Sequence, residues 1–158
     1  MANSRRFLRQ HEPSFDQQIY RMGVLWPELT LYEASRQVEA VWKGIFQPSP
    51  LSEKYLVSLR YHPGWNLETR VLSPELKVRE GFKDLPHVNP DGSLCLHVMG
   101  DWQSWMYVAD YIVPWISAWL YFYEVWHATG CWLGGGTHPD KLEHRSEQGE
   151  AQELGMAR

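Results

Sequence analysis

The sequence predicts an α+β fold: an N-terminal helix, a four-stranded antiparallel meander, a long cysteine-bearing loop and a long C-terminal helix. Three observations carry that expectation. Phe15, Ile19 and Met22 recur at the spacing of one helical face. Between residues 38 and 78 the apolar period falls to two, broken by proline- and glycine-bearing turns. From Val108 to Trp126 the helical period returns as a wide apolar stripe. Helices gathered against an antiparallel sheet are the expected layering.

Each element has its own grounds. Ser14 with Gln17 three residues on has capping-box spacing, so the first helix should start at Phe15. Gly23 is the expected stop, and a separate helical turn is expected before Pro13. Val38, Ala40 and Trp42 alternate with Glu39, Val41 and Lys43, and Tyr55, Val57, Leu59 and Tyr61 alternate with Leu56, Ser58 and Arg60. Val71-Leu72 and Leu76–Val78 are shorter strand candidates. Gln47-Pro48-Ser49-Pro50, His62-Pro63-Gly64 and Ser73-Pro74 separate them as turns. Connections this short favour antiparallel neighbours.

The stretch from Gly81 to Gln103 is rich in Pro, Gly, Asn, Asp and His and carries Cys95. Val108, Tyr111, Ile112, Trp115, Ile116, Trp119, Leu120, Tyr123 and Trp126 then form the stripe of the last helix. Pro114 lies within it. Either the helix kinks there, or a short helix ends before it and a longer one begins with Pro114 in its first turn. Thr129-Gly130 closes the element. After Pro139 hydrophobicity falls and charge rises, so residues 1–139 read as one domain and residues 140–158 as a disordered tail.

Composition narrows the function. A chain of 158 residues, 44% hydrophobic and 22% charged, is a globular domain that can bury its own core. A net charge of −4, with no basic stripe, argues against nucleic-acid binding. The apolar stretch after Val108 is interrupted by Asp110 and Glu124 and reads as a buried helix, with no membrane span expected. Two cysteines, Cys95 and Cys131, make no disulfide framework, and no apolar signal core follows the N-terminus. A reduced, cytoplasmic setting is expected. Most of the nine tryptophans are expected in the core.

The segment Leu85-Pro86-His87-Val88-Asn89-Pro90-Asp91-Gly92-Ser93-Leu94-Cys95-Leu96 sets a cysteine between two leucines just after a Gly-bearing turn, with Trp102 and Trp105 downstream. It resembles the active-site segment of ubiquitin-conjugating enzymes: a His-Pro-Asn tripeptide, a turn ending Gly-x-hydrophobic-Cys-Leu, a Trp-bearing flap and a helix. Later residues sharpen the likeness. Pro114-Trp115, Trp119-Leu120, Tyr123-Glu124, Trp126, Thr129-Gly130 and Trp132-x-Gly134-Gly135-Gly136-x-His138-Pro139 resemble the conjugating-enzyme domain of type II CBASS anti-phage operons. The resemblance covers roughly residues 14–139. It implies the ubiquitin-conjugating fold and acyl transfer: Cys95 takes a protein C-terminus as a thioester and passes it to an amine. It also implies a cGAS-like nucleotidyltransferase as the carried protein. The chain is too short to hold an adenylation domain, so it resembles the stand-alone form or an excised domain, and the acyl donor stays open, a separate activating enzyme being one candidate. A catalytically silent binding module for the nucleotidyltransferase is the rival expectation, and a Cys-His hydrolase is a weaker third.

One departure matters. Aligned on the cysteine, the family's Asn falls on His87 and its His on Leu85. The resemblance therefore passes to His87 the support of the loop and of the oxyanion, for which an imidazole has a suitable donor. Structure or oxyanion support ranks above a role as base, because the family uses no Cys-His dyad. Cys95, on composition alone, would be a buried core thiol; loop context and resemblance make it the nucleophile.

Asp101 is a candidate to orient an incoming lysine, set against an ordinary loop role. Asp91 reads as a turn aspartate before Gly92. His97, two residues past Cys95, faces the same side if the chain is extended. Trp102 and Trp105 are expected to form a flap shielding the thioester. No cofactor is expected. His87, Cys95 and His97 offer metal-ligand atoms, but no CxxC or HxxxH spacing accompanies them, so no metal site is expected. The glycine run after Leu133 lacks the strand, lysine and helix of a phosphate loop and reads as a turn.

Overall fold

A computed structural model describes residues 11–35, 39–64, 66–98 and 100–135. The elements are α1 (Phe15–Leu25), β1 (Thr30–Ser35), β2 (Glu39–Phe46), β3 (Tyr55–His62), β4 (Asn66–Ser73) and α2 (Val108–Thr129). The expected α+β order of N-terminal helix, four-stranded antiparallel sheet and long C-terminal helix is present. The strands lie in the order β1-β2-β3-β4, each antiparallel to the next.

The Ser14 hydroxyl accepts from the Gln17 amide and the Gln17 side chain accepts from the Ser14 amide, so the capping box starts α1 as its spacing predicts. The helix runs past Gly23 to Leu25 and ends where the Trp26 amide donates to the Met22 carbonyl at 2.8 Å. Gly23 is exposed and helical, a tolerated interior glycine rather than a stop.

On β3 the alternation is as expected: Tyr55, Val57, Leu59 and Tyr61 are buried. They join Ala40, Trp42 and Phe46 of β2 and the apolar face of α2 in one core. Val38 lies outside the described residues; its strand is described from Glu39.

Two strand assignments need correction. Leu76–Val78 is irregular, and β1 supplies the fourth strand. The Lys77 amide donates to the Tyr123 hydroxyl at 2.9 Å, and that hydroxyl donates back to the Lys77 carbonyl at 3.4 Å. A side chain of α2 thus supplies the partners that a sheet ladder would have given. The sequence does not mark β1, because Thr30 to Ala34 are exposed, Leu31 and Tyr32 included, and show no buried alternation. It is an edge strand held by backbone pairing with β2.

α2 is one continuous helix of 22 residues with Pro114 inside it, so no short helix ends before the proline. Gly130 closes it with φ 78°, the left-handed conformation that glycine adopts without strain, and its amide donates to the Trp126 carbonyl at 2.7 Å. Tyr107, before the first turn, gives no side-chain cap. The cap comes from α1: the buried Gln18 accepts from the Val108 amide at 2.9 Å and donates to the Met106 carbonyl at 2.9 Å. Trp26 donates from its indole to the Ala109 carbonyl, and Arg21 grips Asp110 with two bonds of 2.8 and 2.9 Å. These contacts fix the start of α2, which follows directly on the segment carrying Cys95. Among the described residues no helix is long and apolar enough to cross a membrane. The expected tail, residues 140–158, and most of the segment before Pro13 lie outside the described residues.

Candidate functional site

Cys95 is displayed by a small hairpin between β4 and α2. Asn89-Pro90-Asp91-Gly92 turns the chain, with the Gly92 amide donating to the Asn89 carbonyl at 2.8 Å. Proline at the second turn position and glycine at the fourth suit that turn. Val88 bridges Leu94, the Asn89 amide donates to the Ser93 carbonyl, and the Cys95 amide donates to the His87 carbonyl at 2.8 Å. The Asp91 carboxylate accepts from the Ser93 hydroxyl at 2.6 Å and the Ser93 amide at 2.9 Å. Those bonds, the hydroxyl's first, with a smaller contribution from Arg70, hold the carboxyl below the usual aspartate range. Asp91 is thus engaged in the turn, as its pairing with Gly92 suggested.

The hairpin is pinned to the sheet. The Leu94 amide donates to the Thr69 carbonyl of β4 at 2.8 Å, and the Arg70 guanidinium reaches the Asp91 carbonyl and carboxylate. Thr69 is almost wholly buried, and among the described residues its hydroxyl has no hydrogen-bond partner.

His87 lies directly across the hairpin from Cys95 with φ 52°, a left-handed conformation unusual for a side-chain-bearing residue. Two donors converge on its carbonyl: the Cys95 amide and the Trp119 indole at 3.0 Å. Its ring stacks on Trp132, centroids 4.7 Å apart and planes 30° apart. Trp132 in turn packs against Trp119 and Phe122. The chain after α2 folds back closely enough that a Cβ on Gly134 would stand 2.5 Å from the Trp132 indole nitrogen and 2.9 Å from the Phe122 ring.

The Cys95 thiol is half-buried and donates to the His97 carbonyl at 3.6 Å. It borders two hollows. One, of about 170 Å³, is lined by His87, Leu96, Trp115, Ala118, Trp119, Phe122, Trp132 and the 134–135 glycines. The other, of about 230 Å³, lies toward β4 and is lined by Leu67, Thr69, Asn89, Leu94, Leu96, His97 and Ile112.

Of the expected site residues, His87 and Cys95 share the first hollow, and His97 joins Cys95 at the second. The His97 ring nitrogen Nδ1 is 3.2 Å from the Val98 carbonyl, and the ring lies 5.8 Å from Trp115. Asp101 is exposed and accepts from the Val98 amide at 3.2 Å, tying its own loop. Trp102 packs half-buried against the core, and Trp105 meets Tyr111 edge to face. The aromatic walls beside Cys95 are Trp115, Trp119, Phe122 and Trp132, the first three on one face of α2. Their spacing of four and then three residues, with the small Ala118 among them, is the sequence signal for this wall. Among the described residues no group of three His, Cys, Asp or Glu side chains is arranged to hold a metal ion.

Fold and site together define a small α+β domain that presents one thiol from a pinned hairpin, at the edge of an aromatic cleft. The chain matches the model of the type II CBASS E2 protein family over residues 18–139, from α1 to beyond α2, and it belongs to that family. No curated protein matches the chain.

Proposed function

We propose that this type II CBASS E2 protein is a conjugating enzyme with the ubiquitin-conjugating fold, and that Cys95 is its acyl carrier. The observation that carries the reading is the thiol itself. It is held by a hairpin with backbone bonds to both His87 and Thr69, half-buried beside open hollows rather than sealed in the core. A loop cysteine with no chemical task has no need of so rigid a mount.

In the first step the Cys95 thiolate attacks the carbonyl carbon of a protein C-terminus held as a thioester on an activating enzyme. A new C–S bond forms, the old one breaks, and the donor thiolate leaves. In the second step a neutral amine attacks the same carbon. The C–N bond forms, Cys95 leaves as thiolate, and the nitrogen's proton passes to solvent. Both steps pass through an oxyanion, and we assign its support to His87, the residue opposite Cys95. His97 and Asp101 shape the approach to the thiol, and Trp102 backs the loop through packing. The carried protein is a cGAS-like nucleotidyltransferase, and its conjugation serves anti-phage defence.

The test is intact mass of this protein co-expressed with its genomic neighbours, as wild type and as Cys95→Ala, with and without reductant. A protein-sized adduct that requires Cys95 and is released by thiol is the expected result, and its mass names the cargo. No adduct in either form, with equal binding of the nucleotidyltransferase by both, would refute the enzyme and leave a binding module.

A further inference from the structure

We infer that the aromatic cleft beside Cys95 is a subsite for one large apolar side chain near the C-terminus of the carried protein. The inference deepens the thioester reading and rests on it. Cys95 lines the cleft, so whatever is esterified to its sulfur is tethered at the cleft's edge. An extended chain advances about 3.3–3.6 Å per residue, so only the last few residues of the cargo are within reach. The volume of about 170 Å³ suits a single large side chain. It falls below the ~300–1,000 Å³ of pockets that take whole small-molecule ligands.

The chemistry of the walls selects the side chain. Trp115, Trp119, Phe122 and Trp132 supply ring surface, and Ala118, small where its helix neighbours are bulky, leaves the space. Trp119 spends its indole N–H on the His87 carbonyl, so it offers the cleft no donor. His87 is covered on one ring face by Trp132. A lysine or glutamate entering here would lose water, and among the described walls no carboxylate stands to pair with a lysine, whereas leucine or phenylalanine would gain burial. The cleft thus discriminates among C-termini before any chemistry at the amine.

The probes are acetylated tripeptide thioesters of 2-mercaptoethanesulfonate, which need no activating enzyme. Cys95 thiolate attacks the peptide carbonyl and mercaptoethanesulfonate leaves as thiolate, so the exchange balances. Each of the three positions is varied in turn through Gly, Ala, Leu, Phe, Lys and Glu, and the rate of mass gain on the full chain is followed, with Cys95→Ala as blank. The expected result is one position where Leu or Phe reacts about tenfold or more faster than Gly, Lys or Glu, the discrimination a hydrophobic pocket reaches. Ala118→Phe, which fills the cleft from the exposed side of α2, should abolish the preference. Gly135→Leu, whose Cβ would meet no described atom within 4 Å on the opposite wall, should do the same. Circular dichroism checks that both variants fold.

Equal rates across side chains at all three positions would overturn the subsite while leaving the thioester intact. So would Ala118→Phe slowing only later transfer to free lysine, which would give the cleft to the acceptor. Faster acylation of Ala118→Phe by every peptide would give it to the chain's own segment beyond Gly135. No acylation by any thioester, with Cys95 still alkylated by iodoacetamide, would defeat the subsite and the thioester reading together.

Discussion

Gln18 is the most instructive side chain to change. It is 1% exposed, a polar residue sealed between two helices. Its carbonyl oxygen satisfies the Val108 amide, one of the donors that the start of α2 leaves without an intrahelical partner, and its amide satisfies the Met106 carbonyl. Gln18→Met keeps the length and the helix propensity but removes both backbone bonds, together with the hydrogen bond between Gln18 and the Tyr61 hydroxyl. Stranding a buried backbone group costs about 1–3 kcal/mol. Taking about 2 for the fully buried Val108 amide and about 1 for the half-buried Met106 carbonyl gives about 3 kcal/mol.

In a chain of this size each kcal/mol moves the midpoint by about 2–4 °C, so the expected loss is about 6–12 °C. The assay is thermal unfolding followed by circular dichroism. Gln18→Glu separates the two bonds. The carboxylate still accepts from Val108 but has nothing to donate to Met106, and it is a buried charge. Burial raises such a group's pKa in the folded state, so protonation restores the donor and stability returns as pH falls. Gln18→Glu should therefore sit further below wild type at pH 7 than at pH 5. A Gln18→Met midpoint within about 2 °C of wild type would refute the argument, because two lost bonds of this burial cannot cost so little.

Three further outcomes follow from the site. Thr69→Val removes a buried hydroxyl that has no partner among the described residues and keeps the shape of the side chain, so it should raise the midpoint by about 2–4 °C, for about 1 kcal/mol recovered. Gly134→Ala should drive Trp132 off the His87 ring, since the new methyl would overlap the indole, and iodoacetamide should then alkylate Cys95 severalfold faster. Asp91, its carboxyl held low by Ser93, has a folded pKa below its unfolded one. Its contribution is complete above the ordinary aspartate value of about 3.9 and fades as pH falls through the lower folded value. The gap in melting temperature between wild type and Asp91→Asn should accordingly be widest near pH 6 and narrow as pH falls below about 3.9.

What the sequence made legible follows a physical pattern. Elements whose order comes from their own residues were readable: the Ser14–Gln17 box, the β3 alternation and the Gly130 stop all act within a few residues of chain. β1 was not, because an edge strand with exposed side chains is specified by its partner's backbone and not by its own pattern. Leu76–Val78 misled for the converse reason: it has the side chains of a strand, while its backbone bonds go to Tyr123, 46 residues away.

The site divides along the same line. The turn that carries Cys95 is local, so the Asn89–Gly92 chemistry announced it. The partners of His87 are not local: Trp119 lies 32 residues away on α2, and Trp132 reaches the ring only because Gly134 lets the chain fold back. Read as a list, Trp115, Trp119, Phe122 and Trp132 look like core. Only the fold turns them into one wall beside the thiol, because it brings three residues of α2 and one from the chain beyond it to the same hollow as Cys95.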